Sequence, residues 1–121
     1  MLRDYTYIDD IISGIISVFD HIPENNKKFS AFSPVPSLST APFVIYNLGN
    51  NHPEKLMFFI ETLENILGKK AKKIFTGMQA GDVFSTMADI DDMCMNFGWK
   101  PQTSINEGLK KFTDWYMDYY K

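Results

Sequence analysis

The chain opens with Arg3-Asp4-Tyr5-Thr6-Tyr7-Ile8-Asp9-Asp10-Ile11, and this stretch decides which fold the sequence predicts. Residues 3–8 alternate enough to predict a short strand. From Ile8 to Phe19, apolar residues recur at three- and four-residue spacing, which predicts a helix with one apolar face. Asp9 or Asp10 is expected to cap that helix, and Gly14 within it predicts close packing against another backbone.

A turn-rich connection follows, and we expect a mobile loop at about 21–42 because such long irregular segments are unusual in compact domains. The apolar run Phe43–Leu48 predicts a strand that is covered on both faces, as in parallel sheets. Pro53 is expected at the first position of a second helix, which Gly68 should end. Residues 73–76 predict another short strand.

Two more helices are indicated further along. Asp89 and Asp92 frame the start of a short helix that should run to Phe97 and close at Gly98. The segment 104–107 is a capping box that begins a last helix with an aromatic-rich apolar stripe. Helices mixed with short buried strands predict the α/β class.

Composition limits the possible functions. The 121 residues allow one domain, and a hydrophobic content of 45% allows a core. A net charge of −3 and a pI near 5.2 argue against nucleic-acid binding, which needs basic surface. No apolar run approaches the ~20 residues of a membrane span. The single cysteine, Cys94, cannot form an internal disulfide, so a cytoplasmic location is the simplest expectation.

The sequence offers no catalytic, cofactor-binding or metal-binding residue. It has no glycine-rich dinucleotide loop and no Tyr-x-x-x-Lys pair. His21 and His52 form no triad that can be defended. The acids at 89, 91 and 92 are better explained as helix-start residues than as cation ligands.

The remaining candidate residues are suited to binding a ligand and not to catalysis. Arg3 lies in the first strand beside aromatic residues, where an arginine can clamp a diphosphate through paired donors. The alternative, a salt bridge from Arg3 to Asp4 or Asp9, is equally compatible with the spacing.

Two further segments have both a binding and a structural interpretation. Asn50 and Asn51 follow the predicted strand and precede a helix, where ligands of parallel α/β folds gather. They are also typical residues of a tight turn, which the sequence favours. Asp82 is placed to accept hydrogen bonds from ribose hydroxyls or to stabilise a turn, and from the residues alone the turn is favoured.

These strings together resemble one family. The stretch 3–11, the segments Ala41–Asn51 and Met78–Val83, the block Ala88–Pro101 and the last helix are similar to NAD-dependent UDP-glucuronate 4-epimerases. These belong to the extended short-chain dehydrogenase type. The matches occur in the expected order and run through essentially the whole chain, which makes them far more specific than any one motif.

The resemblance implies roles for individual residues. Arg3 would contact the diphosphate of a sugar nucleotide, and Asp82 would hold its ribose. Asn50 and Asn51 would lie near the same phosphates. Gln79 stands where related UDP-galactose epimerases carry an arginine, which favours the glucuronate branch and weakens any expectation of strong phosphate affinity.

In the family, the stretch 3–11 follows a complete cofactor-binding domain, whereas here only Met1 and Leu2 precede it. We therefore expect residues 1–121 to be a single truncated C-terminal substrate-binding domain, inactive alone, α+β when isolated, with the Rossmann core elsewhere. NAD would belong to the complete enzyme and not to this chain. Its ligand would be a UDP-sugar, bound weakly or not at all, and its partners a separate N-terminal half or further copies of itself.

Two alternatives are kept. One is a small protein-interaction module, or a remnant of a split gene, without a ligand. The other is an autonomous hydrolase or transferase, which is disfavoured because no nucleophile–base pair can be named.

Overall fold

A computed structural model describes all 121 residues and contains four helices and one two-stranded sheet. The strands are β1, Leu2–Asp4, and β2, Pro53–Lys55. The helices are α1, Ile8–Phe19; α2, Leu56–Leu67; α3, Asp91–Phe97; and α4, Ile105–Tyr119. This is the α+β arrangement expected for the segment by itself.

The strand β1 lies between β2 and residues 84–86 and forms hydrogen bonds to both. It pairs antiparallel with β2, so that Arg3 lies opposite Glu54 and Asp4 opposite Pro53. On its other side, the backbone nitrogen of Leu2 donates to the carbonyl of Phe84 at 2.9 Å, and Thr86 donates back to Leu2. Three residues of β1 therefore tie together two segments that lie about fifty and eighty positions away in sequence.

The pairing of β1 and β2 corrects one expectation. Pro53 does not begin the second helix, since residues 53–55 form β2 and α2 begins at Leu56. A proline suits either position by its backbone angle, and the available partner strand decides between them.

The predicted strands Phe43–Leu48 and 73–76 do not form. A strand requires a neighbour to take its backbone hydrogen bonds, and the 43–48 run makes only an isolated bridge from Val44 to Leu38. Its side chains still alternate, with 44, 46 and 48 half-buried and 43, 45 and 47 exposed. The run is thus covered on one face and not on both.

The hydrophobic core lies where α1 and α3 meet the 46–48 run. Ile90, Met93 and Trp99 are its buried members, and Tyr46, Leu48 and Cys94 are among the residues packed around them. The indole nitrogen of Trp99 donates to the hydroxyl of Ser13 at 2.9 Å. A polar tip on a buried ring is thereby satisfied.

Gly14 is buried in α1 at this core, as close packing predicted. The neighbours are side chains and not a backbone, because a Cβ on Gly14 would come within 2.5 Å of Leu48 and 3.1 Å of Trp99.

Helix boundaries set by local chemistry agree with the sequence. Ser104 accepts from the backbone of Glu107 at 3.3 Å and caps α4, but the return bond of the capping box is absent, and the Glu107 carboxylate pairs with Lys111. Gly68 and Gly98, both in left-handed backbone, end α2 and α3. The expected cap of α1 is wrong, because its N-cap is Tyr7 without a side-chain hydrogen bond. Asp10 is buried and serves another segment.

The irregular segment 21–42 has no helix or strand. Turns and an isolated bridge between Asn25 and Pro42 hold its two ends together. Its mobility stays a prediction. No helix of the chain has both the length and the apolar character that crossing a membrane demands.

Candidate functional site

The candidate site is built around the end of β1, where Arg3 and Asp4 stand side by side. We call these two residues the Arg3–Asp4 pair. The turn 49–52 approaches it from one side and the segment 79–88 from the other. These two segments carry the other residues that the sequence singled out: Asn50, Asn51, Gln79 and Asp82.

Arg3 makes no salt bridge to Asp4 or Asp9, so that interpretation is wrong. Its Nη1 donates to the carbonyls of Leu2 at 2.8 Å and Val83 at 2.9 Å. A guanidinium has five N–H donors, and both bonds use the same nitrogen. Nη2 and Nε make no hydrogen bond within the chain.

The bond from Arg3 to Val83 brings the guanidinium next to the turn that carries Gln79 and Asp82. The backbone nitrogen of Asp82 donates to the carbonyl of Gln79 at 3.1 Å, and Gly81 takes a positive φ of 93°. The turn is therefore closed by backbone groups. Both side chains are exposed, and the turn does not need the Asp82 carboxylate.

Asp4 joins the two segments. One carboxylate oxygen accepts from the backbone of Ala88 at 2.9 Å and of Asn51 at 3.1 Å. The other accepts from His52 at 3.4 Å. Sequence reasoning missed this role, because its partners lie far along the chain and no local pattern points to them.

The turn 49–52 bends at Gly49 and Asn51, and no backbone hydrogen bond closes it as a regular tight turn. Asn51 is the one residue other than glycine with a positive φ, at 53°. Gly49 is buried, and a Cβ on it would overlap that of Ala88. The turn 49–52 and the segment 79–88 are thus in direct contact beneath Asp4.

Asn50 lies apart from the Arg3 side. With His52 it lines a cavity of about 340 Å3 whose far wall is the start of α4, residues 101–106. Arg3, Gln79 and Asp82 do not line that cavity. The structure brings Arg3 to the Gln79–Asp82 turn and connects Asn51 to them through Asp4.

Tyr5 completes the surroundings of Arg3. Its ring stacks on Phe59 with 4.4 Å between centroids. Burial raises the pKa of the Tyr5 hydroxyl, and the positive charge of Arg3 opposes that rise. The Tyr5 hydroxyl therefore stays neutral, and its ring packs on α2 through Phe59.

Other candidate groups do not converge. No three His, Cys, Asp or Glu side chains come within reach of a common metal ion. Asp89 accepts from the backbone of Asp91 at 3.0 Å, which places it at the start of α3. Cys94 is a free thiol, half-buried at the core.

The chain is similar over its whole length to several known proteins. No family model matches the chain. It is 46% identical over all 121 residues to Protein CapI of Staphylococcus aureus, covering 36% of that protein. It is 40% identical over 121 residues to UDP-glucuronate 4-epimerase 1 of Arabidopsis thaliana, where it covers 27%. The chain thus spans about a third of the length of the curated relatives it matches.

A solved structure agrees in fold. The UDP-glucuronic acid 4-epimerase of Bacillus cereus, determined with UDP-glucuronic acid and NAD, superposes on 97% of this chain with a TM-score of 0.71. The sequences are 27% identical, and the match covers 32% of that protein. The chain corresponds to a C-terminal segment of the NAD-dependent sugar-nucleotide epimerase/dehydratase family, most like UDP-glucuronate 4-epimerase. The match agrees with the predicted C-terminal part of an extended short-chain dehydrogenase fold of the α/β class, and the segment by itself has the α+β arrangement described above.

Proposed function

We propose that the chain is the sugar-nucleotide-binding part of an NAD-dependent epimerase of the UDP-glucuronate 4-epimerase type. The observation that carries the proposal is the hydrogen bond from Arg3 to Val83. It holds a guanidinium against the backbone of Val83, the residue that follows Asp82, and the side chain of Asp82 is exposed. A nucleoside diphosphate offers the matching groups, since its phosphates suit an arginine fork and its ribose hydroxyls suit a carboxylate.

In this proposal Arg3 binds the diphosphate and Asp82 the ribose. Gln79, on the same turn, is an uncharged donor toward the phosphates. Asn51 lines the edge of the site, where its backbone binds Asp4, and Asn50 lies farther out, in the cavity next to residues 101–106. Because one arginine acts here without a second cation at residue 79, affinity for a UDP-sugar by this chain alone is weak.

The chain alone is inactive in epimerisation. The reaction attributed to the family moves a hydride between the sugar C4 and NAD while a tyrosine takes the hydroxyl proton. The sequence lacks the Tyr-x-x-x-Lys pair and the dinucleotide loop. NAD and the proton-transfer residues would therefore belong to a separate cofactor-binding part, and no residue of this chain is assigned to NAD.

An exposed apolar face supports such a partner. On α1, Ile12, Ile16 and Phe19 are exposed by 47%, 67% and 81%, and Phe43 and Ile45 of the neighbouring run are about half exposed. We call Ile12, Ile16 and Phe19 the α1 face. Large contiguous apolar surfaces usually mark binding sites for other proteins.

The total area points the same way. The chain exposes 9399 Å2 and has a mass of 14.0 kDa. A monomer of that mass is expected to expose about 6,700 Å2, so the excess is about 2,700 Å2. An excess of that size on one partner suits an obligate interface. We propose that the cofactor-binding part covers the α1 face, and that copies of the chain self-associate through it otherwise.

We also propose a domain organisation, a mobile loop and a cellular location for the chain. Residues 1–121 act as one substrate-binding domain, and the loop at about 21–42 is mobile and opens without unfolding the helices. A cytoplasmic location rests on the single thiol. Amide hydrogen exchange would test the loop, because mobile backbone exchanges faster than helix backbone.

Calorimetry tests the function. UDP-glucuronate is titrated into the chain alone and into the chain mixed with the NAD-binding part of the Bacillus cereus UDP-glucuronic acid 4-epimerase. We expect tight UDP-glucuronate binding and epimerised product only in the mixture. Arg3→Ala and Asp82→Ala should each weaken binding by roughly tenfold or more. NAD binding or turnover by the chain alone would overturn the proposal.

One observation favours a second candidate, a protein-interaction module without a nucleotide ligand. The outer half of α4 exposes a row of aromatic side chains, at Phe112, Trp115, Tyr116 and Tyr119. The same titration separates the candidates, because an interaction module ignores UDP-glucuronate in both the free and the mixed state.

A further inference from the structure

We infer that Asp4 is a positioning residue for the sugar-nucleotide site, acting through the backbone of the two segments that carry its contacts. The inference rests on the proposed function. Nothing in the family resemblance assigned a role to this carboxylate. The geometry does, because a single side chain accepts three backbone N–H groups from both sides of the site.

The three backbone N–H groups that donate to the Asp4 carboxylate come from two different segments. Asn51 and His52 belong to the turn 49–52, and Ala88 ends the segment 79–88. The partners lie 47, 48 and 84 positions from Asp4 in sequence. No other side chain of the chain links these two segments by hydrogen bonds. Asp4 is thus the polar connection between them.

The backbone of Asp4 and the side chain of Arg3 also bind the segment 79–88. Its own nitrogen donates to the hydroxyl of Thr86 at 3.2 Å, and the preceding Arg3 donates to Val83. The main chain of β1, the side chain of Arg3 and the carboxylate of Asp4 together hold residues 83–88 through five hydrogen bonds, two of which run from the backbone of Leu2 to Phe84 and Thr86. This fixes where the Gln79–Asp82 turn leaves the core relative to the guanidinium of Arg3.

The two segments are also in direct contact beneath the Asp4 carboxylate. Gly49 and Ala88 approach so closely that a methyl group on Gly49 would overlap Ala88. Charge-assisted hydrogen bonds are the stronger kind, and three of them hold this close approach. Without the carboxylate, the backbone amides of the two segments lose their shared acceptor, and only the β1 backbone bonds to β2, Phe84 and Thr86 still hold the segments in place.

The chemical consequence concerns the bound nucleotide. A diphosphate at Arg3 and a ribose at Asp82 are parts of one rigid ligand. Binding it without reorganisation requires the two side chains at a fixed separation. Asp4 touches neither part of the ligand, so its loss lowers affinity by loosening the site and not by removing a contact.

The test has two arms and uses Asp4→Ala, Asp4→Asn and a control, Asp89→Ala. The Asp89 carboxylate accepts one local N–H from Asp91 and bridges no distant segments. The first arm measures amide hydrogen exchange by NMR in the 121-residue chain. We expect Asp4→Ala to speed exchange at Asn51, His52 and Ala88 by at least about tenfold, with helix α4 unchanged.

The second arm titrates UDP-glucuronate into each variant mixed with the cofactor-binding part of a relative. We expect about a tenfold loss of affinity for both Asp4 variants and none for Asp89→Ala. If Asp4→Ala does not fold, Asp4→Asn carries the test, because it keeps the shape and replaces one acceptor oxygen with a donor.

The outcomes separate the two ideas. Unchanged exchange at the three amides overturns the inference about Asp4. Unchanged UDP-glucuronate affinity in folded Asp4 variants, with a wild-type mixture that binds, also overturns it and leaves the proposed function standing. A wild-type mixture that does not bind UDP-glucuronate defeats the proposed function and with it the positioning role, whatever the exchange arm shows.

Discussion

The carboxylate of Asp10 accepts a hydrogen bond from the backbone nitrogen of Thr103 at 3.0 Å, across 93 positions of sequence. Its second oxygen accepts from the neighbouring Gln102 at 3.1 Å. Asp10 is buried within α1, and the two amides lead directly into α4. One side chain therefore sets the position of the first helix relative to the last.

Replacing this carboxylate should destabilise the fold. Asp10→Ala leaves two backbone N–H groups without an acceptor, and we expect a loss of about 2–4 kcal/mol in the free energy of unfolding. Urea denaturation measures it. Asp9→Ala is the matched control, since the adjacent side chain is exposed. Equal stability of the two variants would contradict the assigned role of Asp10.

Glu64 predicts a specific loss of stability in acid. Its side chain is only 5% exposed, at the end of α2. Hydrogen bonds from Lys73, from the backbone of Ala71 and from Lys70 lower its pKa from 4.5 to about 2, against the opposing effect of burial. The depressed pKa means that ionised Glu64 stabilises the fold above its ordinary pKa. That contribution is lost as the pH falls from 4.5 toward 2.

Urea midpoints of wild type and Glu64→Gln test this pH dependence. The wild type should be the more stable protein near neutral pH, and its advantage should shrink steadily between about pH 5 and pH 2. The exposed Glu61→Gln is the control, with a small difference that does not follow this course. An advantage that survives at the acid end would show that Lys73 and Lys70 do not stabilise the charged form.

Gly49 should tolerate no side chain. In Gly49→Ala the new methyl group overlaps Ala88, and such overpacking costs about 1–3 kcal/mol. Ala88→Gly in the same chain removes the opposing methyl group and should restore part of the loss. Gly77→Ala, where no atom lies within 4 Å, is the control for thermal denaturation. A harmless Gly49→Ala would refute the close approach.

The α1 face should govern association and leave folding untouched. Ile16 is 67% exposed, so Ile16→Glu should change the free energy of unfolding by no more than about 0.5 kcal/mol. Sedimentation velocity over a range of concentrations should show less self-association. Met95→Glu, at an equally exposed apolar site on α3, should associate like the wild type. The same sedimentation coefficient in all three proteins would argue against this face as the interface.

Local chemistry made much of the fold predictable. The four helices follow from apolar residues at helical spacing. The serine cap at Ser104 and the glycines at 68 and 98 act within one turn of backbone, so their effect is written in adjacent residues. Arg3 and the turn with Gln79 and Asp82 were identified by resemblance, and their roles in binding stay predictions.

Pairing over long distance was not predictable from sequence. Pro53 entered a strand because β1 lay beside it, and Phe43–Leu48 formed none because no partner strand took its hydrogen bonds. Asp10 looked like a helix cap because capping residues and distant acceptors are the same residue types.

The sequence by itself determined the four helices, the C-terminal ends of α2 and α3, the start of α4 and the family, because each is set by residues that are neighbours in the chain. Only the tertiary structure decided what Asp4, Asp10 and Glu64 do. A carboxylate binds whichever backbone N–H or ammonium group the fold brings to it, and those partners lie as many as 93 positions away.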